Sequence, residues 1–156
     1  IMGRADLLTG HVNDQSITVE DATGKKVYSI RFADYGVNPV NNGIIARKEL
    51  LTSKPDLVKR FMRAATKTIE AAEKEPAQAL DALIKANPKA GKPEILKEGL
   101  TRTLPLFHTK YTQGKRPWRM APEDMKMTLD LMVEYGGVDP ATKGKPEDYY
   151  TNEFLP

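Results

Sequence analysis

The sequence predicts an α/β fold, helix-rich with a few strands. One segment, Val27 to Phe32, alternates apolar and polar residues with a period of two. Four later segments carry apolar residues at helical spacing, and a proline stands at the start of each: Pro55, Pro76, Pro93 and Pro122. The chain has 156 residues, 40% hydrophobic and 29% charged, enough for one globular domain with a real core.

Taken in order, residues 2–9 read as the end of a helix, with Gly10 placed to cap it in a left-handed conformation. A weak strand is expected at Ser16 to Val19, then turn chemistry at Ala22 to Lys26, then the half-buried strand Val27 to Phe32. Asp34 to Gly43 is dense in turn formers and reads as a loop, and Gly43 to Arg47 as another short strand.

From there the pattern is helical. Ser53-Lys54-Pro55-Asp56 supplies a start signal: the serine oxygen as cap, the proline tolerated in the first turn, the acid where the dipole favours it. Leu57, Phe61, Ala65 and Thr68 then form one stripe, with Val58, Met62 and Ile69 beside it. Glu75-Pro76 ends this helix, because a residue before proline is biased out of the helical region.

A second helix buries Ala79, Leu80, Leu83 and Ile84 as far as Asn87-Pro88. A third uses Ile95, Leu96, Leu100 and Leu104 up to Pro105, and a fourth runs from Pro122 to Gly136-Gly137. The aromatic tail from Tyr149 to Pro156 is expected to dock on the helices.

Chemistry is sparse. The nucleotide-binding, zinc-protease and nucleophile-elbow signatures are all missing. With no cysteine there is no disulfide, thiolate metal site or cysteine nucleophile within the sequence. His11 and His108 are far apart in sequence, and no metal site or cofactor is expected. The adjacent acids Glu20-Asp21, Glu123-Asp124 and Glu147-Asp148 lack the contrasting environments that acid–base pairs need; Glu123 and Asp124 read as complements to a helix dipole. The expectation is a protein that is not an enzyme.

The net charge of +3 hides an asymmetry: residues 54–120 carry 15 basic and 7 acidic side chains, whereas residues 121–156 carry 3 and 8. The basic stretch either steers anions or is a solvated helical face. His108 to Arg119 mixes cations with Tyr111 and Trp118, a composition that suits single-stranded nucleic acid but reads here as a surface loop with Trp118 packed and the cations in water. Asp34, Tyr35 and Asn38 gather a carboxylate, a phenol and an amide at the end of the strand. This is either a set that orients a small polar ligand or a tight turn in which Asp34 caps backbone and Tyr35 packs.

Three blocks in this order, Ile30 to Val37, Lys54 to Phe61 and Asp148 to Pro156, resemble the C-terminal half of substrate-binding proteins of bacterial ABC importers. The group is the one that includes nitrate, sulfonate, taurine and thiamine-pyrimidine-precursor binders. The resemblance implies the C-terminal half of a type II periplasmic-binding-protein fold, in which two α/β lobes joined by crossing strands close on a solute. Residues 1–33 would then be a remnant of the second lobe with the crossover strand, and residues 34–156 the helical C-terminal part of the first lobe. Leu7 to Asp14 would be the helix–glycine–strand element ending at the cleft, which adds Asn13 to the substrate-binding candidates Asp34, Tyr35 and Asn38. Where the family usually has valine-aspartate-alanine, this chain reads Val12-Asn13-Asp14.

The implied function is capture of a small anionic or heteroaromatic solute by hinge closure, and its delivery to a membrane permease. The implied place is the periplasm or a lipid-anchored extracytoplasmic position, with the export signal outside this sequence. Nucleic acid is not an expected partner; a homodimer or domain exchange is, because half of the fold is missing from the sequence. Two alternatives stand beside this reading. One is a helical adaptor or nucleic-acid module built on the basic segment. The other is an enzyme like the thiamine pyrimidine precursor synthases, whose fungal members use a cysteine-rich iron motif.

Overall fold

The computed structural model describes residues 5–156. Among these, every regular element is helical: α1 (Gln15–Thr23), α2 (Lys48–Ser53), α3 (Pro55–Lys74), α4 (Pro76–Ala86), α5 (Pro93–Thr103) and α6 (Pro122–Glu134), with 3-10 turns at Phe32–Tyr35, Leu104–Phe107, Pro140–Lys143 and Pro146–Asp148. The helix-rich part of the expected α/β fold is present. The strands are not, among the described residues.

The reason differs for each expected strand. Ser16 to Val19 lies inside α1, where Ser16 Oγ donates to Val12 O (2.7 Å), Thr18 Oγ1 donates to Asp14 O (3.2 Å), and Ile17 is buried at 4% exposure. The packing of Ile17 overrides the β preference of those side chains, and the back-bonds satisfy their hydroxyls within the helix. Val27 to Arg31 has no regular structure, and Tyr28, Ile30 and Phe32 are 86%, 72% and 67% exposed. Alternation shapes one face of a strand, but pairing needs a second chain segment, and none of the described residues supplies one. Gly43 to Arg47 is likewise irregular.

The expected helix end at residues 2–9 is not helical from Ala5 onward, and its first residues lie outside the described range. Gly10 is not left-handed. It is instead a point of close approach, because a Cβ there would stand 2.9 Å from Gln15 Cβ, and Gln15 Oε1 accepts from His11 N at 2.6 Å.

The chain divides into two compact units. The first holds the residues up to Ile30 together with Ala71–Phe107. Here α1 and α4 both pack on α5, and Gly99 of α5 lies under Asn13 O and Ile17 Cδ1, at 3.5 and 4.0 Å from where its Cβ would be. Arg102 ties this unit together: Nη1 donates to Val12 O (3.0 Å) and Ser16 Oγ (2.8 Å), Nη2 to Glu20 (3.0 Å), and Nε to Glu98 (2.7 Å).

The second unit holds Arg31–Glu70 and His108–Pro156 and is built around α6. Asp124, Met125, Thr128 and Leu129 are its buried side, and the turns at Pro140–Lys143 and Pro146–Asp148 pack on it. The expected dipole role of Asp124 is joined by a packing one: its buried carboxylate accepts from Thr109 Oγ1 at 2.7 Å. The tail docks through Asn152, whose amide pairs with the backbone of Met120 just ahead of α6.

The prolines mark the helix starts as expected. Ser53 does not cap α3, because it closes α2 instead and donates its hydroxyl to Glu49 O at 2.6 Å. In α3 the inward residues of the second unit are Val58, Met62, Ala65, Thr66 and Ile69, whereas Leu57 and Phe61 are 44% and 56% exposed. The buried face is therefore rotated away from the stripe that the sequence suggests.

Candidate functional site

Arg31 is extended (φ −86°, ψ 130°) and leads into the one-turn 3-10 helix Phe32–Tyr35. Gly36 N donates to Ala33 O (3.2 Å) and Val37 N to Phe32 O (3.1 Å), which closes the turn. This closure needs Gly36 at φ 82°, a left-handed conformation that a Cβ would disfavour.

On this turn Asp34 faces back to Arg31. Nη2 donates to Oδ1 at 2.6 Å and Nε to Oδ2 at 3.1 Å, a two-point fork that raises the Arg31 pKa through the hydrogen bond and the charge of Asp34. Asp34 thus caps a side chain rather than backbone. Tyr35 is 76% exposed and does not pack. Asn38 is exposed two residues beyond the turn, and the loop's far end is fixed where Val40 N donates to Thr128 Oγ1 (2.7 Å), itself a donor to Asp124 O (2.9 Å).

The structure therefore places Asp34, Tyr35 and Asn38 on one surface loop of the second unit. Asn13 belongs to the first unit, where it is half-buried and its Nδ2 donates to Thr103 Oγ1 at 2.9 Å. Arg31 was not among the residues expected from sequence. The signal for it was present in the Arg-x-x-Asp spacing, which brings opposite charges together on a single turn.

A crevice of about 200 Å³ lies along α6, lined by Met125, Leu129, Met132, Val133, Val138 and Tyr149 among others. It is apolar and smaller than the several hundred Å³ usual for a ligand pocket. A shallower one beside it is bordered by Lys126, Asp130 and Lys143, and both lysines bond Asp130, lowering its pKa. Asp34, Tyr35 and Asn38 line neither. Among the described residues, no three His, Asp or Glu side chains are grouped to hold a metal ion.

The basic loop is anchored rather than loose. Thr112 and Pro117 are buried, Trp118 is half-buried, and Arg116 forks onto Glu70 (2.5 and 2.9 Å), whose pKa it lowers. Trp118 follows Pro117 at φ 72°, where a turn with proline in its first central position normally takes glycine or asparagine. Lys110 lies over the Tyr111 ring at 4.7 Å and, with Lys115, remains exposed.

The model of the family described as NMT1/THI5 like matches residues 1–79, just over half of the chain and all of the Arg31–Asn38 loop. The chain belongs to that family. A curated relative, the 4-amino-5-hydroxymethyl-2-methylpyrimidine phosphate synthase of Legionella pneumophila, is 26% identical over 149 residues. That alignment takes in 94% of this NMT1/THI5-like chain but 44% of the relative's own length. No helix among the described residues is long and apolar enough to cross a membrane.

Proposed function

We propose that this NMT1/THI5-like chain is part of the solute-binding component of a bacterial ABC importer. It captures a small anionic or heteroaromatic solute by hinge closure of a type II periplasmic-binding fold and hands it to a permease outside the cytoplasm. The observation that supports this reading is the chemistry of the Arg31–Asn38 loop. A guanidinium, a phenol and an amide stand on the surface as hydrogen-bonding groups, and the loop's one carboxylate is already held by Arg31. Such a set can recognise and orient a small polar solute.

The name of the Legionella relative favours a second reading, an enzyme that makes a pyrimidine phosphate. The two differ in what they leave behind. In a thermal-shift screen against nitrate, taurine, alkanesulfonates and aminopyrimidines, a solute binder gains about 2.7 kcal/mol of stability at a hundred times its Kd and returns its ligand unchanged. Stabilisation by none of these solutes, or release of a phosphorylated pyrimidine, would sink the transport reading.

A further inference from the structure

We infer that the outward face of α3, from Leu57 to Thr68, is a docking surface for an anionic lipid bilayer. Within the second unit this helix turns Val58, Met62, Ala65, Thr66 and Ile69 inward. Two adjoining stripes remain outside. Leu57, Phe61, Ala64 and Thr68 recur at intervals of three or four residues and form an apolar one; Lys59, Arg60, Arg63 and Lys67 form a basic one.

Cations dominate this stretch, although Lys67 also feels the charge of Glu70. No acid occurs between Asp56 and Glu70, and Glu70 is taken by Arg116. None of the four cations lies within ion-pair distance of a carboxylate among the described residues. An exposed Phe and Leu one turn apart, flanked by long cationic side chains on a single helix, is the arrangement of helices that lie in a membrane interface. There the apolar pair enters the acyl boundary while the cations reach lipid phosphates.

The same observations favour lipid over an acidic protein. Ala64 and Thr68 make the apolar stripe shallow after Phe61, so it offers no pocket for a protruding side chain, whereas a phosphate layer accepts cations at any spacing. Nucleic acid would use an aromatic set among the cations, but Phe61 stands with Leu57 and Ala64. The inference is tested separately from the solute-binding reading.

The test is sedimentation of the full chain with vesicles of equal parts phosphatidylglycerol and phosphatidylcholine, at low and high salt. Binding at low salt is expected, with none to phosphatidylcholine alone. Arg60→Gln and Arg63→Gln should each cost about five-fold in partitioning. Phe61→Ser should weaken binding with its salt dependence unchanged, and Phe61→Trp should show a blue shift of emission, over the Trp118 background, when the anionic vesicles are added. Arg60, Phe61 and Arg63 are all exposed, so circular dichroism of the four variants should match the parent. Lack of binding at low salt, equal binding by the Arg60 and Arg63 variants, no blue shift, or equally tight binding to an oligonucleotide would each overturn the inference.

Discussion

The side-chain amide of Asn152 pairs with the backbone of Met120 in both directions: Nδ2 donates to Met120 O at 2.8 Å, and Met120 N donates to Oδ1 at 3.1 Å. The amide thus completes a two-bond pairing that a neighbouring strand would otherwise make, and it fixes the tail on the segment that leads into α6. Asn152→Ala loses both bonds, and an unfolding penalty of about 1–2 kcal/mol is expected. Asn152→Asp should be at least as costly at neutral pH, because it turns a carboxylate oxygen toward the Met120 carbonyl. Chemical denaturation measures the penalty, and faster chymotryptic cleavage at Tyr149 or Phe154 would report release of the tail. A variant as stable as the parent would show that the tail is held by its part-buried apolar side chains, Tyr150, Phe154 and Leu155 among them.

Arg102 does for the first unit what Asn152 does for the tail, but with charge. Its guanidinium reaches Val12 O, Ser16 Oγ, Glu20 and Glu98, and its side chain is only 28% exposed. Arg102→Ala should cost about 2 kcal/mol, the scale of hydrogen bonds to a charged group. Arg102→Lys should recover little of it, since a single ammonium cannot serve a carbonyl, a hydroxyl and two carboxylates from one plane. Urea midpoints of the two variants decide this, and a lysine variant equal to the parent would reduce the role of Arg102 to its charge.

Acid should weaken both units in the same direction. Glu20 is held below its usual 4.5, first by the Val27 N–H and then by Arg102; Glu70 is held below 4.5 by the Arg116 fork. Asp130 is held below 3.8 by Lys126 and Lys143. A carboxyl with a depressed folded-state pKa contributes its full stability above the unfolded value and loses it as pH falls through the folded one. Tm should therefore be flat above about pH 5 and decline below 4.5. Glu20→Gln and Glu70→Gln should each flatten that decline, and an unchanged acid limb in both variants would assign it to other groups.

The helix starts were legible in the sequence because proline acts locally: at Pro55, Pro76, Pro93 and Pro122 the missing N–H costs nothing in the first turn, and the preceding residue is pushed out of the helix. Elements that depend on distant partners were not legible. Val27 to Phe32 carries the alternation of a strand but has no partner among the described residues, and Ser16 to Val19 became helical because Gly99 lets α1 settle close to α5. Ser53 was spent on α2, a helix too short to leave a periodic signature. At the site, the loop and its exposed Tyr35 could be read from local composition, whereas the bond from Asn13 to Thr103 spans 90 residues and no local pattern announces it.

The Arg31–Asn38 loop gives the sharpest separation of function from fold. Tyr35 is 76% exposed, and the Arg31–Asp34 fork has side-chain exposures of 60% and 49%, so none of the three should matter much to stability. Tyr35→Ala and Asp34→Asn are each expected to stay within about 0.5 kcal/mol of the parent. If the loop orients a solute, Tyr35→Ala should abolish the solute-induced rise in Tm. Asp34→Asn should change selectivity instead, because it leaves the Arg31 guanidinium without its counter-charge and so better suited to a nitrate or sulfonate. Calorimetric titration of both variants against the solutes that stabilise the parent measures the effect. Parent-like affinity in both would move the binding surface away from this loop.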